Sequence, residues 1–460
     1  MKKNSFIRIL SMLLAILFVM TSLVACNNDR PDNPPDISDT NTDAETPNSS
    51  TPKVTTLSDY KIVYPANASD YVKTKVVSVI NNAFESKYGI KLEAVSDTTE
   101  AAPYEIVLGE TNRSDDVAKA HYDSLRGAYS LDGKNTLTYN TAIVYNDNRV
   151  FLLAKSDDTL FNVANYFCAN IESQVNADTK VFTPNETPYF SKGSAKTEDS
   201  PYLAEGSDLR VMSYNILMSQ YAAIESNKRD LRMANILMYY MPDVVALQET
   251  EELWHKLIDK YLVEPGIYAK AAEKTASGAY NMTTFLYNPK TVKLVSTDIR
   301  EIAKNSNVRL FVVCEFERLS DGSHFVVTNF HPAPSGNAQE YETHFKRLYA
   351  VKDQALSKYK DLPIIMMGDF NTAEEYEMYK TYMSKMGVKD AKYEAETLVR
   401  RYGTYLKGGP YGSLQKGDAE CYDHIFVNNN VNVKLFNVVI DHGVTLTSDH
   451  LPIYADISFK

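Results

Sequence analysis

The sequence predicts an α/β chain in two folded parts, a small α/β domain over residues 57–190 and a larger α/β domain over residues 208–460. Three observations carry this. Short apolar runs alternate with helical periodicities along most of the chain. Two polar stretches, residues 27–56 and 191–207, separate the apolar parts. The chain has 460 residues, 44% hydrophobic and 23% charged, which is a globular composition too long for one ordinary domain.

The N-terminus precedes the fold. Lys2, Lys3 and Arg8 open it, a mostly apolar stretch covers residues 7–25, and Leu23-Val24-Ala25-Cys26 closes it. That ending resembles the bacterial lipobox, which implies a signal peptide over residues 1–26 and lipidation of Cys26. A plain signal anchor is the alternative, since the stretch approaches bilayer length. The lipobox reading places the protein in the cell envelope, extracytoplasmic and membrane-anchored. Residues 27–56 are Pro, Asn, Asp, Ser and Thr with few apolar groups, so they read as a disordered tether. Cys168, Cys314 and Cys421 are odd in number and widely spaced, which argues against a disulfide framework or zinc site and for ordinary buried thiols.

In the small domain, strands are expected at residues 60–64, 91–94, 104–109, 141–145 and 149–154. Helices are expected at 71–88, where Val76, Val79, Ile80 and Phe84 recur at helical spacing, and at 158–171. Residues 105–113 resemble part of the small N-terminal domains found ahead of extracellular carbohydrate-active enzymes. No catalytic constellation is visible, so a spacer or interaction role is expected, with glycan binding left open.

Acidic residues outnumber basic ones, 59 to 48, unevenly. From residue 207 onward there are 29 Lys and Arg against 32 Asp and Glu. Neither part carries the broad cationic face that tight nucleic-acid backbone binding requires.

The larger domain's strands are apolar and end in polar residues, which gathers those ends at one sheet rim. Val211 leads to Asn215, Val244 to Glu249, Phe325 to His331 and Ile364 to Asp369, with Asn371, Asp423, Asp449 and His450 completing the set. Helices lie between, one over residues 230–240 (Met233, Ile236, Leu237, Tyr240) and one over 339–358 (Tyr341, Phe345, Leu348). Hard oxygen ligands suit Mg²⁺, and imidazoles beside them suit proton transfer or stabilisation of phosphate charge. No Ser or Cys nucleophile with its own base is evident, so attack by water is the simpler chemistry.

The order Ser213-Tyr214-Asn215, Gln248-Glu249, Asn329-Phe330-His331, Gly368-Asp369-Phe370-Asn371, Tyr422-Asp423-His424 and Ser448-Asp449-His450 resembles the endonuclease/exonuclease/phosphatase superfamily, the deoxyribonuclease-I-like phosphoesterases. The resemblance covers about residues 209–459. It implies a four-layer α/β sandwich, two packed sheets covered by helices, and Mg²⁺-dependent hydrolysis, with Mn²⁺ a possible substitute. Glu249 would bind the metal, with Asn215 as ligand or support. Asp369 would orient or deprotonate the attacking water, Asn371 would hold a phosphate oxygen, and His331 and His450 would bracket the phosphate. Asp449 would pair with a catalytic histidine or bind a second metal. Asp423 would help fix the water and Asn371, or else form a salt bridge at a strand start. His121, His255, His324, His344, His424 and His442 match no catalytic position. Asn281 stands where nuclease members often have an acid supporting the catalytic histidine, and it would orient that imidazole without adding charge.

Arg401, Tyr405 and Lys407 lie in a loop that in this family borders the substrate, although a solvated loop is equally consistent. Arg309 is a further candidate phosphate ligand. The expected substrate is a phosphoester, with nucleic acid ahead of a lipid or small-molecule phosphoester. The weak basicity and membrane tether favour the latter. A binding protein on a degenerate version of the fold is the alternative from another class. No obligate protein partner is evident.

Overall fold

Strand alternation sorts the first apolar set onto two faces. A computed structural model describes residues 55–460 except 131–134, 137–139, 192–199, 305–307, 335–337 and 442. The signal-peptide reading, Cys26, most of the tether and His442 lie outside the described residues. The first sheet runs in the order Ala94–Ser96, Lys61–Tyr64, Glu105–Leu108, Arg149–Leu153, Ala142–Asn146, Tyr189–Phe190, and its first four strands are parallel. Ile62, Ile106, Val150 and Leu152 bury one face against Ile80 and Phe84 of helix Val77–Tyr88 and against Leu160 and Phe167 of helix Asp157–Asn170. Val63, Val107, Phe151 and Leu153 bury the other against Ala118 of helix Asp116–Ser124. Helix starts are fixed by side chains that accept otherwise orphaned amides: Asp115 from Ala118 N–H and Ser156 from Thr159 N–H.

Residues 209–459 form two further sheets. One runs Ala269–Ala271, Phe285–Tyr287, Val244–Gln248, Leu209–Asn215, Ile453–Phe459, Val431–Val438, Thr397–Leu398. The other runs Val292–Lys304, Val308–Arg318, His324–Phe330, Ile364–Asp369, Asp423–Val427, Lys389–Asp390. Val211, Leu247 and Phe285 from the first share a core with Val312, Val327, Ile365 and Ile425 from the second. The outer faces are covered by helices, Arg229–Tyr240 with Glu252–Ile258 on one side and Ala338–Leu356 on the other. This is a four-layer α/β sandwich.

Two buried ion pairs each tie neighbouring strands within one of these sheets. Arg210 donates through Nε to Asp456 Oδ1 (2.6 Å) and through Nη2 to Oδ2 (2.8 Å), and its remaining donors reach the carbonyls of Pro201, Tyr202 and Tyr240. Such a pair survives burial because nearly every polar atom is satisfied. It also fixes the segment at residues 200–202 to the edge of the sandwich. His424 bridges Asp390 Oδ2 (3.0 Å at Nδ1) and the Thr372 carbonyl (3.0 Å at Nε2), bracing the turn that follows Asp369.

Register then delivers the rim. Leu209–Asn215 and Val244–Gln248 are parallel with Gln248 opposite Asn215. His324–Phe330 and Ile364–Asp369 are parallel, and Asp423 lies opposite Asp369 on an antiparallel neighbour. Gly368 is required here. A Cβ at this position would lie 2.0 Å from the Phe330 carbonyl oxygen, so only glycine lets the His331 and Asp369 strands approach this closely.

Candidate active site

Glu249 leaves its strand with φ 64°, a left-handed conformation uncommon outside glycine. That turn brings its carboxylate back over the rim. Oε2 accepts from Met218 N–H (2.9 Å), and Oε1 accepts from Asn215 Nδ2 (3.1 Å). The same Asn215 amide donates to Asp369 Oδ2 (3.0 Å), while Asn215 Oδ1 is taken by Leu217 N–H (3.0 Å). Asn215 therefore presents nitrogen, not oxygen, to the carboxylates, and acts as a buried bridge between them. Of its two anticipated roles the geometry fits the supporting one.

Asp369 sits at the centre. Its Oδ1 accepts from Asn371 N–H (2.8 Å), and its Oδ2 lies 3.4 Å from His331 Nε2 and 3.6 Å from His450 Nε2. Burial pushes the Asp369 carboxyl up to about 7, against the opposing pull of His450 and with the Asp423 charge adding to the rise. His450 is the reverse case. Burial disfavours its charged form, but Asp423 and Asp369 together hold it well above the usual histidine range. His331 is held well below that range by burial, by Arg309 and by His450. The two imidazoles thus differ in charge, and such a divergence around one carboxylate is what acid–base chemistry requires.

The partner of His450 Nδ1 is Asp423 Oδ2 at 2.7 Å, so Asp423 rather than the adjacent Asp449 orients this imidazole. Asp423 is itself positioned by the Thr404 hydroxyl, which accepts from its backbone N–H (3.0 Å). Asn371, with φ 50°, donates from Nδ2 to the Pro332 carbonyl (3.3 Å), and no hydrogen bond with Asp423 is present among the described residues.

A cavity of about 590 Å³ opens over this rim. Glu249, Arg309, His331, Asp369, Asn371, Tyr405, Asp449 and His450 line it, while Asn215 and Asp423 stand behind the wall. Arg309 Nη1 lies 3.4 Å from His331 Nδ1. The Tyr405 ring packs edge-on to His450 at 5.2 Å. Arg401 does not line the cavity: its guanidinium pairs with Asp418, with Nε 2.8 Å from Oδ1. Asn281 does not support a site imidazole either. Its side chain caps the local turn through Thr283 N–H (2.8 Å), and its carbonyl meets His255 Nε2 (2.9 Å). The expectation that Asn281 orients a catalytic histidine is therefore corrected.

Sequence reading assigned no role to several wall residues, among them Met218, Tyr221, Met282 and Tyr422. Tyr422 carried a signal, since it precedes Asp423 at the strand start, but the others sit in loops without periodicity. Arg229 was also missed. It is fully buried and donates to the carbonyls of Thr447 (2.6 Å), Ile216 (2.5 Å) and Leu217 (2.6 Å), pinning the loop that supplies Met218 N–H.

Asp369, Asp423 and His450 bring ligand-type atoms within 4.8 Å of one another. The Asp423–His450 hydrogen bond and the charge on that imidazole make the trio a poor cage for a hard cation. The carboxylates of Glu249 and Asp449, facing the cavity and free of Lys or Arg partners among the described residues, fit a divalent cation better.

An α/β sandwich with acids and imidazoles gathered at one rim fits the class of phosphoester hydrolases. Residues 212–450, more than half of the chain, match the model of the Endonuclease/Exonuclease/phosphatase family, and the chain belongs to that family. The family hydrolyses phosphoester bonds and is generally dependent on divalent metal. Among solved structures, the chain is similar to an endonuclease/exonuclease/phosphatase from Bacteroides vulgatus (19% identity, TM-score 0.47, covering 55% of this chain and 99% of that one). It is also similar to a mannosyl-6-phosphatase from Bacteroides thetaiotaomicron (22%, 0.46, 55% and 100%). The human nocturnin catalytic domain with bound sulfate is a third (17%, 0.44, 56% and 96%). Comparison with curated proteins gave no match.

Proposed function

We propose that the protein is a divalent-metal-dependent hydrolase in which water attacks the phosphorus of a phosphoester held in the cavity over Glu249, Asp369 and His450. The observation that carries this is the position of Asp369, whose single oxygen Oδ2 is addressed by Asn215, His331 and His450 at 3.0, 3.4 and 3.6 Å. A phosphoryl group placed over that oxygen meets both imidazoles, and a water beside it meets a carboxyl able to take its proton. His331, neutral, donates a hydrogen bond to a non-bridging oxygen. His450, charged and held by Asp423, stabilises the developing negative charge or gives a proton to the leaving oxygen. The P–O ester bond breaks, and the products are an alcohol and a phosphate or phosphomonoester. Mg²⁺ or Mn²⁺ held by Glu249, with Asp449 as a second carboxylate, would supply Lewis-acid polarisation of the phosphoryl oxygens.

Of the two substrate classes, a lipid headgroup or small-molecule phosphoester is favoured over nucleic acid. Among the described residues Arg309 is the only Lys or Arg lining the cavity, whereas a nucleic-acid track needs several phosphate contacts. Tyr405 and Tyr422, their ring centroids 5.6 Å apart, offer a face to a ring or headgroup instead. A Cys26 lipid anchor in the cell envelope accords with this reading. The test is a panel of single- and double-stranded DNA, RNA, sphingomyelin, sugar and inositol phosphates and a chromogenic phosphodiester. Preference for a compact phosphoester supports the proposal, and preference for DNA or RNA refutes the substrate assignment while leaving the chemistry.

A further inference from the structure

A second cavity, about 560 Å³, lies at the opposite end of the sandwich strands. Arg210 and Asp243 border it at the start of the strands whose far ends carry Asn215 and Glu249, roughly 17 Å of extended chain away. Its walls come from three parts of the chain. Tyr122, Arg126 and Lys155 belong to the elements around the first sheet, Leu203 to the connecting segment, and Met238 and Lys290 to the sandwich.

The cations in it are unequally matched. Lys290 pairs with Asp123 (2.6 Å), and Arg210 pairs with Asp456. Asp243 is occupied by the Arg210 backbone N–H (2.7 Å). Arg126 and Lys155 have no ion-paired or hydrogen-bonded acceptor for their charged groups among the described residues, and Arg126 Nε is buried without a partner. Each lies against a ring: Arg126 over Tyr202 (5.9 Å) and Lys155 over Tyr122 (5.4 Å). The acids facing Lys155 are Asp123, already paired, and Glu110, which is exposed. Burial, with Lys290 and Arg126 as neighbouring cations, lowers the Lys155 ammonium to about 8 despite those two acids. Two partly buried cations without an ion-paired acceptor among the described residues, with Asp243 near Arg126 already taken by the Arg210 N–H, above an apolar floor that includes Leu125, Met238, Met241 and Ile267, are a recognition pattern awaiting its counter-charge.

We infer that this cavity binds a small organic oxyanion, a carboxylate or phosphate borne on an apolar ring or chain, with Arg126 and Lys155 holding the charge. Arg126 offers the fork that matches a planar or tetrahedral oxyanion, and Lys155 supplies a point charge. Because the walls come from both α/β parts, the ligand joins them, and its binding stabilises the whole fold by mass action.

The test uses the purified full chain and 4-bromobenzoate, with phenylphosphonate as the phosphate-like probe and benzyl alcohol as the uncharged control. Calorimetry is expected to show saturable binding of both anions and none of the alcohol. Binding of 4-bromobenzoate should weaken about tenfold or more in Arg126→Leu and in Lys155→Met and stay unchanged in Glu249→Ala. Unaltered melting curves, together with unaltered phosphodiester turnover in Arg126→Leu and Lys155→Met, identify folded variants. Crystals of the unaltered protein soaked in 4-bromobenzoate decide the matter independently of any substitution. A bromine anomalous peak between Tyr122 and Met241 supports the inference. A peak only over the Glu249 rim, no peak, or binding indifferent to both substitutions overturns it.

Discussion

His450 has a carboxylate at each ring nitrogen, Asp423 2.7 Å from Nδ1 and Asp369 3.6 Å from Nε2, and this arrangement gives the rim its chemical direction. His450→Ala should lower turnover by about 10²–10⁴-fold with an unchanged fold, read by steady-state kinetics beside circular dichroism. Asp423→Asn keeps the shape but removes the charge that favours imidazolium, so it should also depress kcat while leaving KM nearly constant. Gly368→Ala should act through structure instead. Its added methyl meets the Phe330 carbonyl, and thermal melting should register a loss of about 2 kcal/mol or more. The residue types of the rim were legible because polar groups end apolar strands. That Asp423, not Asp449, orients His450 was not legible. Both acids adjoin a histidine in sequence, and only the pairing of strand Asp423–Val427 with Ile364–Asp369 separates them.

At the scale of elements, the His424–Asp390 pair braces strand Asp423–Val427 against its edge neighbour and the turn after Asp369. Burial opposes the charged form of both, yet each charge stabilises the other. Asp390 is held below the ordinary carboxylate range and His424 above the ordinary histidine range. The Asp390 contribution is present above its unfolded pKa and is lost as pH falls through its lowered folded value. The His424 contribution is present below its unfolded pKa and is lost as pH rises through its raised folded value. The stability gap between parent and Asp390→Ala should therefore be widest between about pH 4 and 6.5, reaching about 3–5 kcal/mol, and should narrow beyond those limits. Urea titrations at several pH values measure this gap. In sequence His424 was indistinguishable from a surface histidine, because its partner is 34 residues away. Helix positions were more accessible. The periodic stretch expected at residues 230–240 is helix Arg229–Tyr240, since Met233, Ile236, Leu237 and Tyr240 share one buried stripe. The strand expected at 91–94 falls instead at Ala94–Ser96, where pairing with Lys61–Tyr64 fixes the register that local composition left free.

For the whole molecule, the three large sheets among the described residues and their cores follow from apolar periodicity, while the attachment of residues 200–202 to the sandwich follows from a single buried charge, Arg210. Arg210→Ala would leave Asp456 buried and unpaired, and a loss of about 3–5 kcal/mol is expected in denaturant unfolding. Cys168, Cys314 and Cys421 are buried and free, as their spacing implied. The loop residues that shape the cavity, Met218, Tyr221 and Met282, carry no periodic signal, which is why chemistry was easier to read here than substrate. The account stands on a cation held at Glu249 making the rim competent for hydrolysis. The most direct measurement is phosphodiester turnover by chelator-treated protein titrated with Mg²⁺ or Mn²⁺, with Glu249→Ala run in parallel. The account predicts no turnover without metal, saturable recovery in the parent, and no recovery in the variant at concentrations that saturate the parent. Full turnover without metal, or equal recovery in Glu249→Ala, would contradict it.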